Sequence, residues 1–305
     1  MPSSRPRERM SQGSDTVTTR HRIAGRRPTV DLPSIGRRLP RPLVEAAVSA
    51  YVAASSALGR NRFVYEYDGR TFRYEYDDFY SFAYLYDCIV DGAMRHEGIS
   101  LSVLDLEPSF DAIVDVGAHF GVYAVALGVL NPETPVYAFE PNAKNAAVLR
   151  ANVAANELDT TVVERAVSDV DGEIEFFEHP DAHNVHTTAR PADADSYTAT
   201  RLESVTLSRL FAEASIEDAF LKIDAEGEEG KIVDDLLSNA SGGRLSGILE
   251  VHPERMPTPA SDLFDALEAN GFEYAVIKAR AETPGYYFSN FEPVEEVVAS
   301  SASGR

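Results

Sequence analysis

The chain has 305 residues, 44% of them hydrophobic, and a formal net charge of −21. That length holds one large α/β domain with extensions or two small ones, and the apolar fraction is ordinary for a globular core. So acidic a balance argues against nucleic acid binding by the folded part, because carboxylates and phosphates repel.

The charge is unevenly spread. Within residues 1–42 ten Arg face three acids, a net of +7 that leaves −28 for the remainder. Lysine occurs only as Lys144, Lys222, Lys231 and Lys278. An acid-rich, Lys-poor composition suggests a strongly hydrated surface adapted to high salt, as in halophiles. Cys88 is the sole cysteine, so no intrachain disulfide forms, nothing points to secretion, and a cytoplasmic location is expected.

In chain order, residues 1–41 are rich in Arg, Pro, Ser, Thr and Gly without a sustained period, which reads as a disordered basic arm. Weak peripheral contact of this arm with an anionic membrane, or with an acidic partner, is the functional alternative. Arg26-Arg27 and Arg37-Arg38 invite a twin-arginine export reading. The following Leu43–Leu58 stretch holds Glu45 and many small residues, so it makes a poor export core and is too short for a transmembrane segment. It carries Val44, Ala47, Val48, Tyr51 and Val52 at helical spacing and is expected to pack that stripe on the domain behind it. Phe63 to Tyr76 alternates about Asp68-Gly69, the signal of a β-hairpin. Its tyrosines either stabilise the ribbon across strands or line an acceptor pocket. Tyr80–Met94 reads as a helix. Residues 42–105 thus form an N-terminal helix and hairpin extension, the place for a lid or specificity element.

The stretch from Ile113 to Leu127 organises the rest. An apolar run of β-formers breaks at Gly117, turns through Ala118, His119 and Phe120 to Gly121, and resumes as a helix-compatible segment. Strand, glycine turn and helix are the first half of a βαβ unit, hence of a parallel sheet. Ligands in such sheets sit beyond the carboxyl ends of the strands. Pro135 to Glu140 is the next strand, and Glu140, followed by Pro141 and Asn142, falls where a nucleoside ribose has its hydroxyls bonded. A dinucleotide turn requires a second glycine where His119 stands and a third where Val122 stands. S-adenosylmethionine (SAM) has no phosphate and tolerates the side chain better, with Asp115 placed to receive its ammonium directly or through water. The cofactor-contacting set is therefore Asp115, Gly117, His119, Gly121, Glu140, Pro141 and Asn142. The plain reading of the same residues is a capped turn and a solvated strand end.

Further on, Ala143–Asn156 is helical with Ala146, Leu149, Val153 and Leu158 inward. Thr160–Ala166 is the third strand, and Ala166 and Val167 would contact the adenine. Glu173–Phe177 is a short strand. His179 to Thr200 is polar, and its three histidines (His179, His183, His186) read as part of a surface loop near the acceptor rather than as a metal site. Phe220–Asp224 and Leu245–Val251 are core strands, Ser261–Asn270 is a helix stopped by Gly271, and Glu273–Lys278 with Tyr286–Phe288 form a closing antiparallel pair. Val294–Arg305 reads as a frayed tail behind a domain spanning 106–293.

Five blocks occur in a recognisable order: Val114 to Gly121, Phe139 to Asn142, Arg165 to Asp169 followed by Gly172, Leu221 to Glu229, and Leu249 to His252. Over roughly residues 110–280 this resembles the FkbM family of SAM-dependent methyltransferases, most distinctively in Lys-Ile-Asp-Ala-Glu-Gly (222–227). His119 departs from the Asn that is common in the family. The resemblance implies a Rossmann-like class I methyltransferase: an α/β fold with a mostly parallel seven-stranded sheet whose last strand is antiparallel. It also implies SAM as methyl donor and a hydroxyl acceptor on a sugar, glycolipid or secondary metabolite. In that architecture the methyl faces the end of the fourth core strand, so Asp224, Glu226 and Lys222 become candidates for acceptor contact. A neutral hydroxyl needs a base, and Asp224 or His252 could supply it, with Glu250 orienting the imidazole. The plainer reading makes Asp224-Ala-Glu-Gly a helix cap and His252 a bonded surface histidine. Asp224, Glu250 and His252 have the ligand types of a divalent metal site, but the family requires none and none is expected. Two rivals remain, a nicotinamide-dependent oxidoreductase on a similar sheet and a SAM-binding module without catalysis.

Overall fold

The computed structural model of the chain describes residues 41–91, 104–106, 109–178, 194–239, 242–278 and 283–303. The basic arm through residue 40, the three clustered histidines and the end of the helix expected to reach Met94 lie outside the described residues.

Helix α1 (Arg41–Ala57) buries Val48, Val52 and Ser55 and leaves Ala47 and Tyr51 exposed, so the inward stripe is narrower than the spacing suggested. The hairpin β1 (Arg62–Tyr67) and β2 (Arg70–Glu75) turns through Asp68 and Gly69 at φ 46° and 74°, the positive values a two-residue type I′ turn requires. Strand alternation sends Phe63, Tyr65, Phe72 and Tyr74 to one side, all buried. These tyrosines build core; they do not line an open pocket. Helix α2 (Phe79–Leu85) starts at a capping box between Asp78 and Ser81 and runs on as a π-helical turn through Asp91.

The main unit follows as β3 (Ala112–Val116), α3 (Val122–Leu130), β4 (Val136–Phe139), α4 (Ala143–Ala155) and β5 (Thr160–Val163). Next come β6 (Ala166–Val167), β7 (Gly172–Glu178), β8 (Thr198–Val205) and α5 (Leu207–Ala214). The chain then gives β9 (Ala219–Ile223), α6 (Glu229–Asn239), β10 (Leu245–Glu250), α7 (Ala260–Ala269), β11 (Glu273–Lys278), β12 (Gly285–Ser289) and α8 (Val294–Ser303). Seven strands make one sheet in the order β11-β12-β10-β9-β3-β4-β5. It is parallel except for β12, which runs antiparallel to both neighbours. This is the Rossmann-like class I methyltransferase arrangement with its last strand reversed. All five residues of β3 and of β9 are buried, because helices cover both faces. From β3 the chain steps outward to β4 and β5, then returns to the other side of β3 at β9. The switch point lies between β3 and β9, and it opens a crevice at their carboxyl ends.

Three expectations are corrected. Thr160–Ala166 is not one strand: Glu164 and Arg165 interrupt it, and Ala166-Val167 pairs instead with β8 in a separate sheet of order β6-β8-β7. Thr198–Thr200 belongs to β8 and not to a loop; half of that strand's residues are exposed, so its polar residues hide the alternation. Within the expected tail, Val294–Ser303 is helix α8, which buries Val294 and packs Val297 and Val298 on the core.

The extension shares its core with the sheet's α3 face. Its docking is polar as well. Asn156 of the chain after α4 takes the backbone N–H of Arg73 on Oδ1 at 2.8 Å and gives Nδ2 to the Arg73 carbonyl at 2.6 Å. One helical turn earlier, Asn152 accepts the N–H of Glu75 and donates to Phe120 O at 2.7 Å. Residues four apart on a helix are about 6 Å apart along its axis, close to the about 6.6 Å between alternate residues of a strand. The two asparagines therefore act as a short ladder along β2.

Candidate functional site

The turn after β3 is held from two sides. Gly117 N and Ala118 N donate to Phe139 O at 3.0 and 2.9 Å, and Gly121 N closes on Ala118 O at 2.8 Å. Glu140, buried at the end of β4, accepts His119 N on Oε2 at 2.9 Å. Its Oε1 takes Asn142 N at 3.0 Å and Asn145 Nδ2 at 3.3 Å. Burial pushes the Glu140 carboxyl up to about 7 in spite of these bonds. Asn142 also caps α4 through Lys144 N and Asn145 N. The ring of His119 lies tilted against Phe120, centroids 3.8 Å apart, and meets Tyr84 edge-on at 4.4 Å, so it leans toward the extension.

Asp115 is fully buried, and the cation beside it is Lys222 of its own chain, with Nζ 3.6 Å from Oδ1. Burial raises the Asp115 pKa while Lys222 opposes the rise. A carboxylate so enclosed needs an internal partner, and Lys222 supplies it. Lys222 in turn donates to Gly117 O at 2.9 Å and reaches Asp224 Oδ2 at 3.4 Å. It ties the glycine turn to the end of β9.

At the ends of β9 and β10 the structure brings Asp224, Glu226 and His252 together. The His252 Nε2 atom lies 3.4 Å from Glu226 Oε2 and 3.9 Å from Asp224 Oδ1, and Arg255 pairs with Glu226. The Nδ1 partner is Glu229 Oε1 at 2.8 Å. Glu250 therefore does not orient the ring by hydrogen bond; it stands nearby as a charge. Burial disfavours the imidazolium, but the bond and charge of Glu229, with the charges of Asp224 and Glu250, outweigh it and raise the His252 pKa above its usual value. Glu229 is the first residue of α6 and folds back to accept Ala225 N and Gly227 N at 3.1 Å each. Such a carboxylate suits the positive end of a helix.

Asp224, Glu229 and His252 offer ligand atoms within 4.8 Å of one another. His252 Nδ1 and Glu229 Oε1, however, are bonded to each other, and Lys222 and Arg255 already bring positive charge to Asp224 and Glu226. The cluster thus already carries ion pairs and a hydrogen bond of its own.

A family model described as the methyltransferase FkbM domain matches residues 115–281. The chain belongs to the FkbM methyltransferase family. Among solved structures it is similar to precorrin-6y C5,15-methyltransferase from Geobacter metallireducens GS-15, at 15% identity over 63% of this chain and 85% of that one, TM-score 0.36. It is also similar to methyltransferase FkbM from Methylobacillus flagellatus KT, at 15% identity over 58% and 43% of the two chains, TM-score 0.38. TYW2 from M. jannaschii, in complex with AdoMet, is 14% identical over 75% and 84%, TM-score 0.36. Comparison with curated proteins gives no match.

The FkbM domain match begins at Asp115 and takes in the glycine turn, Glu140, the Asp-Ala-Glu-Gly block and His252. Helix α1, the hairpin, α2 and α8 lie outside it. Within this FkbM methyltransferase Ala166 and Val167 are buried in the small sheet, and the next residue, Ser168, donates to Glu228 at the start of α6. The small sheet therefore converges on the same loop as β9. Sequence reasoning places Glu229 only among the acids that favour the positive end of the following helix and misses its bond to His252. Glu228 and Glu229, the two glutamates after Gly227, look alike until the helix sets their directions.

Proposed function

We propose that this FkbM methyltransferase uses SAM to methylate a hydroxyl of a sugar, glycolipid or related small acceptor, a uronic carboxylate being the nearest variant. The observation that carries the reading is the convergence on one crevice of the Glu140-braced turn and the Asp224–Glu226–His252 group. The residues suit the cofactor. Glu140 has three of its roughly four acceptor positions filled, which leaves one for a ribose hydroxyl. Carboxylates in excess of Lys222 and Arg255 suit a cationic sulfonium. When bound, SAM would supply a methyl group on positively charged sulfur, already a good electrophile. The protein's part is to align the acceptor oxygen and to take its proton, for which Asp224 and His252 are the candidates.

No helix among the described residues is long and apolar enough to cross a membrane. A cytoplasmic site of action goes with this reading, and the N-terminal extension is assigned the choice of acceptor.

The test is a pair of measurements. SAM at a hundredfold over its dissociation constant should stabilise the chain by about 2.7 kcal/mol, visible as a rise in Tm, while NAD should not. Methyl-labelled SAM with fractionated extract of the native cell should then label a polysaccharide or lipid fraction. A shift with NAD alone favours the oxidoreductase. A shift with SAM but no labelled product in any fraction favours a binding module.

A further inference from the structure

We propose that Glu229 is the positioning residue of the methyl-transfer step: by binding Nδ1 of His252 it fixes the imidazole so that Nε2 is the atom that receives the acceptor's proton. This inference rests on the methyl-transfer reading above, but its first test does not require an acceptor.

The geometry dictates the tautomer. An ionised carboxylate can only accept hydrogen bonds. Glu229 is fully buried and already accepts the Ala225 and Gly227 amides, so at 2.8 Å from its Oε1 the His252 Nδ1 must carry the proton. A neutral ring protonated at Nδ1 has its lone pair on Nε2. That atom faces the loop after β9, at 3.4 Å from Glu226 and 3.9 Å from Asp224, longer than the about 3.2 Å limit of a good N–H···O bond. The charges around the ring come from every packed element: Glu229 from α6, Asp224 and Glu226 from the loop, Glu250 from the end of β10, and Arg255 held on Glu226.

The charge balance favours the same assignment. The acceptor oxygen gains the methyl carbon as the carbon–sulfur bond breaks with its electron pair left on sulfur, and the acceptor's proton passes to Nε2. The positive charge lost from sulfur therefore reappears on the imidazolium, directly against the Glu229 carboxylate. A charge that develops beside a preoriented opposite charge costs no reorganisation. The backbone amides of Ala225 and Gly227 supply the preorientation, because they keep Glu229 from turning away.

The first experiment is a nitrogen-15 spectrum of the histidine rings of the full-length wild-type chain, with His252 assigned by its loss in His252→Gln. The expected result, at a pH above the His252 titration midpoint, is a neutral Nδ1–H tautomer; an Nε2–H tautomer there overturns the proposal. The second follows the His252 titration in Glu229→Gln, where loss of the negative charge should move the midpoint to lower pH; an unmoved midpoint overturns it. With a labelled extract fraction as acceptor, Glu229→Gln should lower the plateau rate at least about tenfold while SAM affinity stays within about twofold. A full rate in that variant overturns the proposal. Should Glu229→Gln not fold, the wild-type tautomer decides. A wild-type chain that fails to bind SAM removes the methyl-transfer reading and leaves the tautomer result standing, so the two failures are distinguishable.

Discussion

Gly117 and the carbonyl of Asp224 are in such close approach that a β-carbon on Gly117 would lie 1.8 Å from the Asp224 oxygen. The glycine turn after β3 and the loop after β9 are thus in backbone contact, with Lys222 bonded to both. Gly117 also sits at φ 71°, which costs an L-residue about 1–2 kcal/mol before any clash. Gly117→Ala should therefore lose more than about 2 kcal/mol of stability and abolish SAM binding together with methyl transfer. Urea denaturation and calorimetric titration check this; a variant with wild-type affinity would show that the approach has no consequence.

The asparagine ladder predicts a coupling between the extension and the glycine turn. Asn152→Ala leaves both the Glu75 N–H and the Phe120 carbonyl without their side-chain partner, in a fully buried position. Each unsatisfied buried group costs about 1–3 kcal/mol. A loss of about 2–4 kcal/mol is expected in urea, with weaker SAM binding because Phe120 lies within the turn. Asn156→Ala should weaken stability without touching the turn, so SAM affinity should separate the two variants.

Glu140 predicts how stability changes with pH. Its carboxyl goes from 4.5 to about 7 on burial. Between those values the unfolded chain has lost the proton and the folded chain still holds it, so stability falls as pH rises through this window. The whole effect is about 3 kcal/mol, fully felt above pH 7. In Glu140→Gln the fall of Tm between about pH 4.5 and 7 should flatten, and SAM affinity should drop because the ribose loses its carboxylate. Parallel pH profiles for the two proteins would refute the assignment.

The surface charge predicts a response to salt. If the −28 carried outside the basic segment reflects adaptation to high salt, screening should relieve the self-repulsion, and Tm should climb several degrees from about 0.1 M to about 3 M KCl. A Tm that stays level or falls removes that explanation of the composition.

Much of the fold was legible because its signals are local. The glycine turn after an apolar run, the Asp68-Gly69 hairpin and the helical spacing of Ala146, Leu149 and Val153 each depend on neighbours in sequence, and each stands as read. Strand β8 and helix α8 were not legible. A strand with one exposed face in a small sheet, and a short Ala- and Ser-rich helix, acquire their apolar side only from what packs against them.

The site divides along the same line. By itself the sequence determined which groups stand at the strand ends, because a parallel sheet must place Glu140, Asp224 and His252 at its carboxyl edge. Only the tertiary structure decided what each group meets there: Lys222 beside Asp115, and Glu229 instead of Glu250 on the imidazole. The physical reason is reach. Backbone topology fixes where a side chain begins, but hydrogen bonds are won or lost over about an ångström, and that last ångström is set by helix phase and by burial, which chain order does not encode.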